Sequence, residues 1–329
     1  MHASGRVNPT VLLTGAQGFV GSHLARVLCS GGFDVTAVVR RPGVPLAGAG
    51  RMLVLGDADA STEWSAALEG IDCIINCAAL AHQGRKAGLE VARYESANAG
   101  VVESLARAAA RAGVRKFIQL STVKVFGEDS GERAWTTRSE CRPQGPYATS
   151  KWHGEQMLRA IAAQSGMRYA IIRPPLIYGP GVRANLLALI RWVDRGIPLP
   201  LGALANRRSF VGIGNLCDLI LRLASVHAET TQDIVLVSDG HDLSTPALVR
   251  LIADCLGKPV RLLDVPPWLI RRMARLVGRA DAADRLCGSL AVDISETRSQ
   301  LGWSPPMSDR EQMQVTAQWY RQAAGGVRT

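Results

Sequence analysis

Three glycines set three residues apart, Gly15, Gly18 and Gly21, break an otherwise apolar opening stretch. Val11 to Leu13 before them read as a buried strand, and Phe19, Val20, Leu24, Val27 and Leu28 after them recur at helical spacing. Strand, glycine turn and helix in that order constrain the chain strongly. The first glycine takes a backbone angle other residues avoid. The second lets the backbone approach a pyrophosphate, and the third lets the helix lie close on the strand. Free N–H groups at the helix start favour negative phosphates. Taken alone, the triplet equally describes a glycine-rich turn without a ligand.

Strands and helices alternate onward. Residues 35–39, 52–55, 73–79 and 117–120 are apolar strand runs, with a short helix expected over 61–69 and a long one over 98–112. Such alternation implies a doubly wound parallel sheet covered by helices on both faces. The second strand runs into Arg40-Arg41 rather than an acid. An acid there binds the ribose 2′-hydroxyl of NAD, whereas guanidinium groups suit the 2′-phosphate of NADP. NADP(H) is therefore the favoured cofactor and NAD(H) the alternative, with stacking of Arg40 on adenine as a role that selects neither. Asp57 follows the third strand and can accept from the adenine amino group or serve a turn. Small residues close the fourth strand at Cys77, Ala78 and Ala79. His82 stands on the polar stretch that follows, as a substrate contact or a loop histidine.

Tyr147 and Lys151 are four apart, which puts them on one helix face a turn apart. An ammonium beside a phenol lowers the phenol pKa from ~10 toward neutrality and makes it a general acid/base. The remaining composition excludes other chemistry. The net charge is +10, but the arginines are scattered and there are only five Phe and five Tyr, so an acidic small molecule fits better than nucleic acid. No two of the seven cysteines have CxxC spacing, and no metal site is expected. No apolar run approaches the ~20 residues that span a bilayer. The first strand leaves no room for a signal peptide, so a cytoplasmic protein is expected.

With these residues in place the chain resembles extended short-chain dehydrogenase/reductases of the nucleotide-sugar epimerase/dehydratase family. The resemblance rests on Thr14-Gly-Ala-Gln-Gly-Phe-Val-Gly21, Asn76-Cys-Ala-Ala79, Leu120-Ser-Thr-Val-Lys-Val-Phe-Gly127, Tyr147 with Lys151, Arg173-Pro-Pro-Leu-Ile-Tyr-Gly-Pro-Gly181, and Asn206 to Leu216. It implies a Rossmann-type sheet over residues 1–180, also receiving about 206–240. A smaller α/β substrate-binding domain takes 181–205 and 241–329. It implies Thr122, Tyr147 and Lys151 as catalytic residues. The cofactor would meet Gly15, Gln17, Gly18, Phe19, Val20, Gly21, Arg40, Asp57, Ala58, Cys77, Ala78, Ala79, Asn98, Tyr147, Lys151 and Pro174. The substrate would meet His82, Thr122, Lys124, Asn185, Arg208 and Arg285.

Two departures stand out. Val123 and Lys124 occupy the places where 4,6-dehydratases carry an Asp-Glu pair, which argues against water elimination. Asn215, after Gly214, stands where many relatives have Asp, a difference expected to change only a helix cap. The resemblance then implies reduction of the C4 ketone of a UDP-4-keto-6-deoxy-N-acetylhexosamine by NADPH, for surface polysaccharide. Its alternative is a UDP-hexose 4-epimerase with tightly bound NAD. A non-catalytic NADP sensor is disfavoured by the intact Thr122, Tyr147 and Lys151. A homodimer is implied through helices at about 98–112 and 148–163. The helix at about 268–277 is expected to cap the sugar pocket rather than lie on a membrane surface.

Overall fold

The computed structural model describes residues 8–43, 45–81, 89–225, 233–276, 278 and 280–325. Its strands are β1 (Thr10–Thr14), β2 (Asp34–Val39), β3 (Arg51–Val54), β4 (Cys73–Asn76), β5 (Lys116–Leu120), β6 (Arg168–Arg173), β7 (Leu176–Tyr178), β8 (Arg208–Gly212), β9 (Ile234–Leu236) and β10 (Asp242–Leu243). Its helices are α1 (Phe19–Ser30), α2 (Leu89–Tyr94), α3 (Val101–Arg111), α4 (Gly145–Ser165), α5 (Ala184–Asp194), α6 (Ile213–Ala224), α7 (Thr245–Leu256), α8 (Pro267–Leu276), α9 (Ala280–Cys287), α10 (Ser295–Leu301) and α11 (Asp309–Gly325).

Seven strands form one sheet in the order β3-β2-β1-β4-β5-β6-β9, and every pairing is parallel. This is a Rossmann-type α/β sheet. All five residues of β1 are buried, as expected for a strand covered on both faces. Val11 and Leu13 join one core with α1 and α6, while Leu12 joins the opposite core with α3 and α4. A third core draws on residues from Tyr178 to Ala317, beside a small sheet ordered β10-β8-β7. The sheet order reverses between β1 and β4, which opens a crevice beyond their carboxyl ends.

Local structure departs from the sequence expectation in three places. The helix expected over 61–69 is a single 3-10 turn, Ser65–Ala67. The long helix expected from residue 98 starts within a π-helical segment, Glu95–Gly100, that joins α2 to α3. Asn98 lies in that segment, and its side chain bonds Leu80 N and O and Ser150 Oγ. The widened turn lets a buried amide serve two neighbouring segments. Asn215 is no helix cap. It is fully buried, donates to Asp239 Oδ1 at 2.7 Å and bonds the backbone of Met307. The carboxylate is supplied by Asp239 instead.

Within one chain, Ala106 and Ala109 of α3 are buried, whereas Met157, Ala160 and Ala163 of α4 are exposed. Among the described residues, no helix is long and apolar enough to cross a membrane.

A Cβ on Gly21 would stand 2.2 Å from Gly15 O and 2.8 Å from Ala16 Cα, both backbone atoms. Gly21→Ala must push α1 off β1, at a cost of ~1–3 kcal/mol by overpacking. Thermal unfolding is expected to show the loss, and dinucleotide titration weaker binding. A wild-type melting temperature would contradict this packing.

Candidate active site

The crevice floor is made by backbone approach. Gly15 has φ +64, and a Cβ there would lie 2.7 Å from Ala78 N and from the Cys77 carbonyl. Thr14 Oγ1 donates to Asn76 Oδ1, and Asn76 Nδ2 donates to Gln119 at 2.8 Å, locking the ends of β1, β4 and β5 together. Gly18 N closes the turn on Gly15 O at 2.8 Å and caps α1 with Gln17 and Gly18 left exposed. His23 of α1 bonds Pro180 O at 2.8 Å, and Gly181 leaves room beside the Phe19 ring. Gly15, Gly18, Phe19, Val20, Gly21, Cys77 and Ala78 thus converge around one concave backbone turn. A cradle that a Cβ would fill fits a dinucleotide pyrophosphate.

Arg40 and Asp57 meet at the outer end of β2, Nη1 to Oδ1 at 3.5 Å, with side chains 76% and 85% exposed. Ala58, next in chain, packs in part on the second core, and Ala79 is exposed at the close of β4. Val123 N bonds Pro174 O at 3.1 Å, which sets Pro174 beside Thr122.

Thr122, Tyr147 and Lys151 are brought together. Thr122 caps a 3-10 turn, Val123–Val125, through Lys124 N, and its side chain hydrogen-bonds Tyr147. Lys151 is buried, and its Nζ donates to Leu120 O at 2.6 Å. This corrects one expectation from the sequence. The Tyr147 phenol is pushed up to about 12, chiefly by burial, and the Thr122 hydrogen bond only partly offsets it. The Lys151 ammonium hydrogen-bonds a backbone carbonyl and not the phenol. Burial pushes Lys151 down to about 8, while the Glu155 carboxylate supports its charge.

Glu155 and Arg173 carry no role assigned from the sequence alone. Both are buried, and Arg173 donates to Glu155 from Nε at 3.1 Å and Nη2 at 2.5 Å. Ser121 Oγ donates to Glu155 Oε1 at 2.5 Å, and the Arg173 guanidinium lies 4.6 Å over the Phe126 ring. The signal was present: Tyr147, Lys151 and Glu155 recur every fourth residue on one face of α4.

The substrate candidates divide. Lys124 is paired with Glu128 at 2.9 Å. Arg208 and Arg285 meet through Arg208 Nη1 on Arg285 O at 2.6 Å, with the Arg208 charge supported by Asp129 and Glu128. Asn185 is exposed in the first turn of α5, directly after Ala184, whose φ of +55 is unusual for a residue with a Cβ. His82 lies outside the described residues. Among the described residues, no cluster of His, Cys, Asp and Glu could hold a metal ion.

A glycine cradle at the switch point of a parallel sheet, with a Tyr-Lys pair and a hydroxyl beyond it, defines a nicotinamide-dependent short-chain dehydrogenase/reductase. Comparison with known proteins agrees. A model of the NAD dependent epimerase/dehydratase family matches residues 11–237. UDP-glucose 4-epimerase of Vibrio cholerae is 39% identical over 318 residues, 95% of this chain and 96% of the relative. A Streptomyces dTDP-4-dehydro-6-deoxy-D-allose reductase is 26% identical over 333 residues, 95% of this chain and 96% of the relative. The structure of MoeE5 in complex with UDP-glucose and NAD superposes with a TM-score of 0.75 at 25% identity, over 96% of this chain and 99% of that one. The chain belongs to the NAD dependent epimerase/dehydratase family and is an NAD(P)-dependent enzyme of the extended short-chain dehydrogenase/reductase type.

Glu155→Gln leaves the Arg173 charge buried without its partner, which is expected to cost ~3–5 kcal/mol in chemical unfolding. It also removes the carboxylate that supports the Lys151 charge, so the alkaline limb of kcat/KM should move below pH about 8. An unchanged unfolding midpoint with an unchanged pH profile would contradict this role.

Proposed function

We propose that the chain reduces the C4 ketone of a UDP-4-keto-6-deoxy-N-acetylhexosamine with NADPH. The observation that carries this reading is the cationic end of β2. Arg40 and Arg41 stand there, and the acid beside them, Asp57, comes from the loop after β3 and is held by Arg40 in an exposed 3.5 Å pair. Such a pair is weak, and its guanidinium is available to a 2′-phosphate. Preference for the phosphorylated cofactor suits net reduction, since cells keep that pool reduced. A cytoplasmic location belongs to the same reading.

NADPH, held by the glycine turn, would supply a hydride for C4 when bound. In this reading the chain does the rest. Tyr147 donates the proton to the C4 oxygen, and the phenol is well suited to that because burial keeps it protonated at neutral pH. Thr122 hydrogen-bonds the same oxygen. Lys151 contributes positive charge at the cofactor ribose. The cradle of Gly15, Gln17, Gly18, Phe19, Val20 and Gly21 takes the pyrophosphate against Cys77, Ala78 and Ala79, with Ala58 and Pro174 bordering it. Asn98 positions the Leu80 segment and α4, acting through them. Lys124, Asn185, Arg208 and Arg285 are assigned to the nucleotide sugar. The third core carries that end of the site, as the smaller domain. A homodimer through the exposed Met157, Ala160 and Ala163 face completes the reading.

The 39% identity to a UDP-glucose 4-epimerase favours a second reading, 4-epimerisation of a UDP-hexose with retained NAD. It would use the same three residues, with hydride removed from C4 and returned to the other face. Its first step needs a phenolate at Tyr147, which burial in the ligand-free chain opposes and the positive nicotinamide ring of bound NAD would favour.

The test is absorbance at 340 nm with the purified protein, NADPH and the 4-keto sugar nucleotide. One NADPH oxidised per sugar, with a single reduced product, is the expected result. Tyr147→Phe is expected to lose ~100- to 10,000-fold in kcat while still binding cofactor. No net oxidation, with UDP-glucose converted to its C4 epimer, would establish the second reading instead.

A further inference from the structure

Among the described residues, eleven large apolar side chains are exposed, and six of them fall between residues 192 and 276: Trp192, Ile197, Leu263, Trp268, Met273 and Leu276. Three of the six lie on α8, which has no buried residue. Trp268, Met273 and Leu276 are 62%, 56% and 76% exposed. A helix turns 100° per residue, so Trp268, Arg272 and Leu276 fall in one row, with Met273 and Arg275 flanking it. The opposite side holds Ile270, which packs in part on the third core, while Arg271 stands at the edge of the face and pairs with Asp284 of α9 at 3.1 Å. The outward face is therefore apolar side chains interleaved with arginines, on a helix that contains no acid.

We propose that this outward face of α8 docks the protein on an anionic phospholipid bilayer. The charge of the face selects the occupant. Arg272 and Arg275 have no ion pair among the described residues, and the chain as a whole carries +10. A second copy is a poor occupant, because a two-fold contact would bring together two faces that each carry Arg272 and Arg275 and no acid from α8. A bilayer surface of anionic head groups meets the arginines and accepts the Trp, Met and Leu side chains at the acyl boundary. Ten residues of helix span about 15 Å, half the hydrocarbon thickness, so α8 lies in the surface and does not cross it. Asp264, the acid nearest in sequence on the amino-terminal side, has its carboxylate at Gly202, on the body of the protein.

Co-sedimentation of the full chain with vesicles tests the proposal and requires no catalytic activity. Binding is expected to vesicles of mixed phosphatidylglycerol and phosphatidylcholine, to weaken with added salt, and to be absent with phosphatidylcholine alone. Each surface arginine contributes roughly fivefold to partitioning, so Arg272→Gln with Arg275→Gln should lower it roughly 25-fold. Trp268→Ser with Leu276→Ser should lower it at least roughly tenfold. Circular dichroism of both variants establishes that the fold is kept, and either double variant alone suffices for the comparison. The proposal is overturned by no binding to anionic vesicles, by equal binding to neutral ones, or by variants that bind as the wild type does. It is equally overturned if light scattering shows the variants dissociating an oligomer that the wild-type face holds.

Discussion

The site depends on one buried ion pair. Glu155 and Arg173 bind through two hydrogen bonds, and Ser121 gives the same carboxylate a third. These residues come from α4, the end of β6 and the segment after β5. Their union fixes the helix that carries Tyr147 and Lys151 against the strand end that carries Thr122. Burying two charges is costly, and a pair of this kind persists only when its remaining hydrogen-bonding capacity is met. Ser121 meets it on the carboxylate side, and the Phe126 ring faces the guanidinium. The catalytic candidates therefore stand on rigid elements, and one of those elements is held from inside.

Much of this was legible in the sequence, because each legible feature has a local cause. Gly15, Gly18 and Gly21 are needed where backbone meets backbone, and the contacts of Gly15 with Cys77 and Ala78 show why. The four-residue step from Tyr147 to Lys151 fixes a shared helix face. It does not fix where the amine ends, and the structure puts that amine on Leu120 O. In the ligand-free chain burial therefore raises the phenol pKa where spacing alone predicts a lowering. Spacing reports which face a side chain is on, while burial and the partner at its tip decide its charge.

The less legible features join residues far apart in sequence. Asn215 stands where many relatives have Asp, and it donates to Asp239 from beyond β9, which also accepts from Tyr178 at 2.7 Å and Gly212 N at 2.9 Å. Three segments meet on that single buried acid. Asn98 was read as a cofactor contact, but its amide is taken up by Leu80 and Ser150. The π-helical turn that permits this has no signature in a single sequence. Positive charge, in contrast, was legible as a total and became specific only with positions: Arg40 at the β2 end, Arg208 with Arg285, and the arginine face of α8.

The central claim is net reduction at C4 by an external cofactor, and an isotope tests it most directly. The protein would be given NADPH deuterated at the transferable position together with the 4-keto sugar nucleotide, and the product analysed by mass spectrometry and proton NMR. The account predicts one deuterium per product molecule, located at C4, with an equal amount of NADP formed. A C4-epimerised sugar carrying no deuterium, with the NADPH left intact, would contradict it.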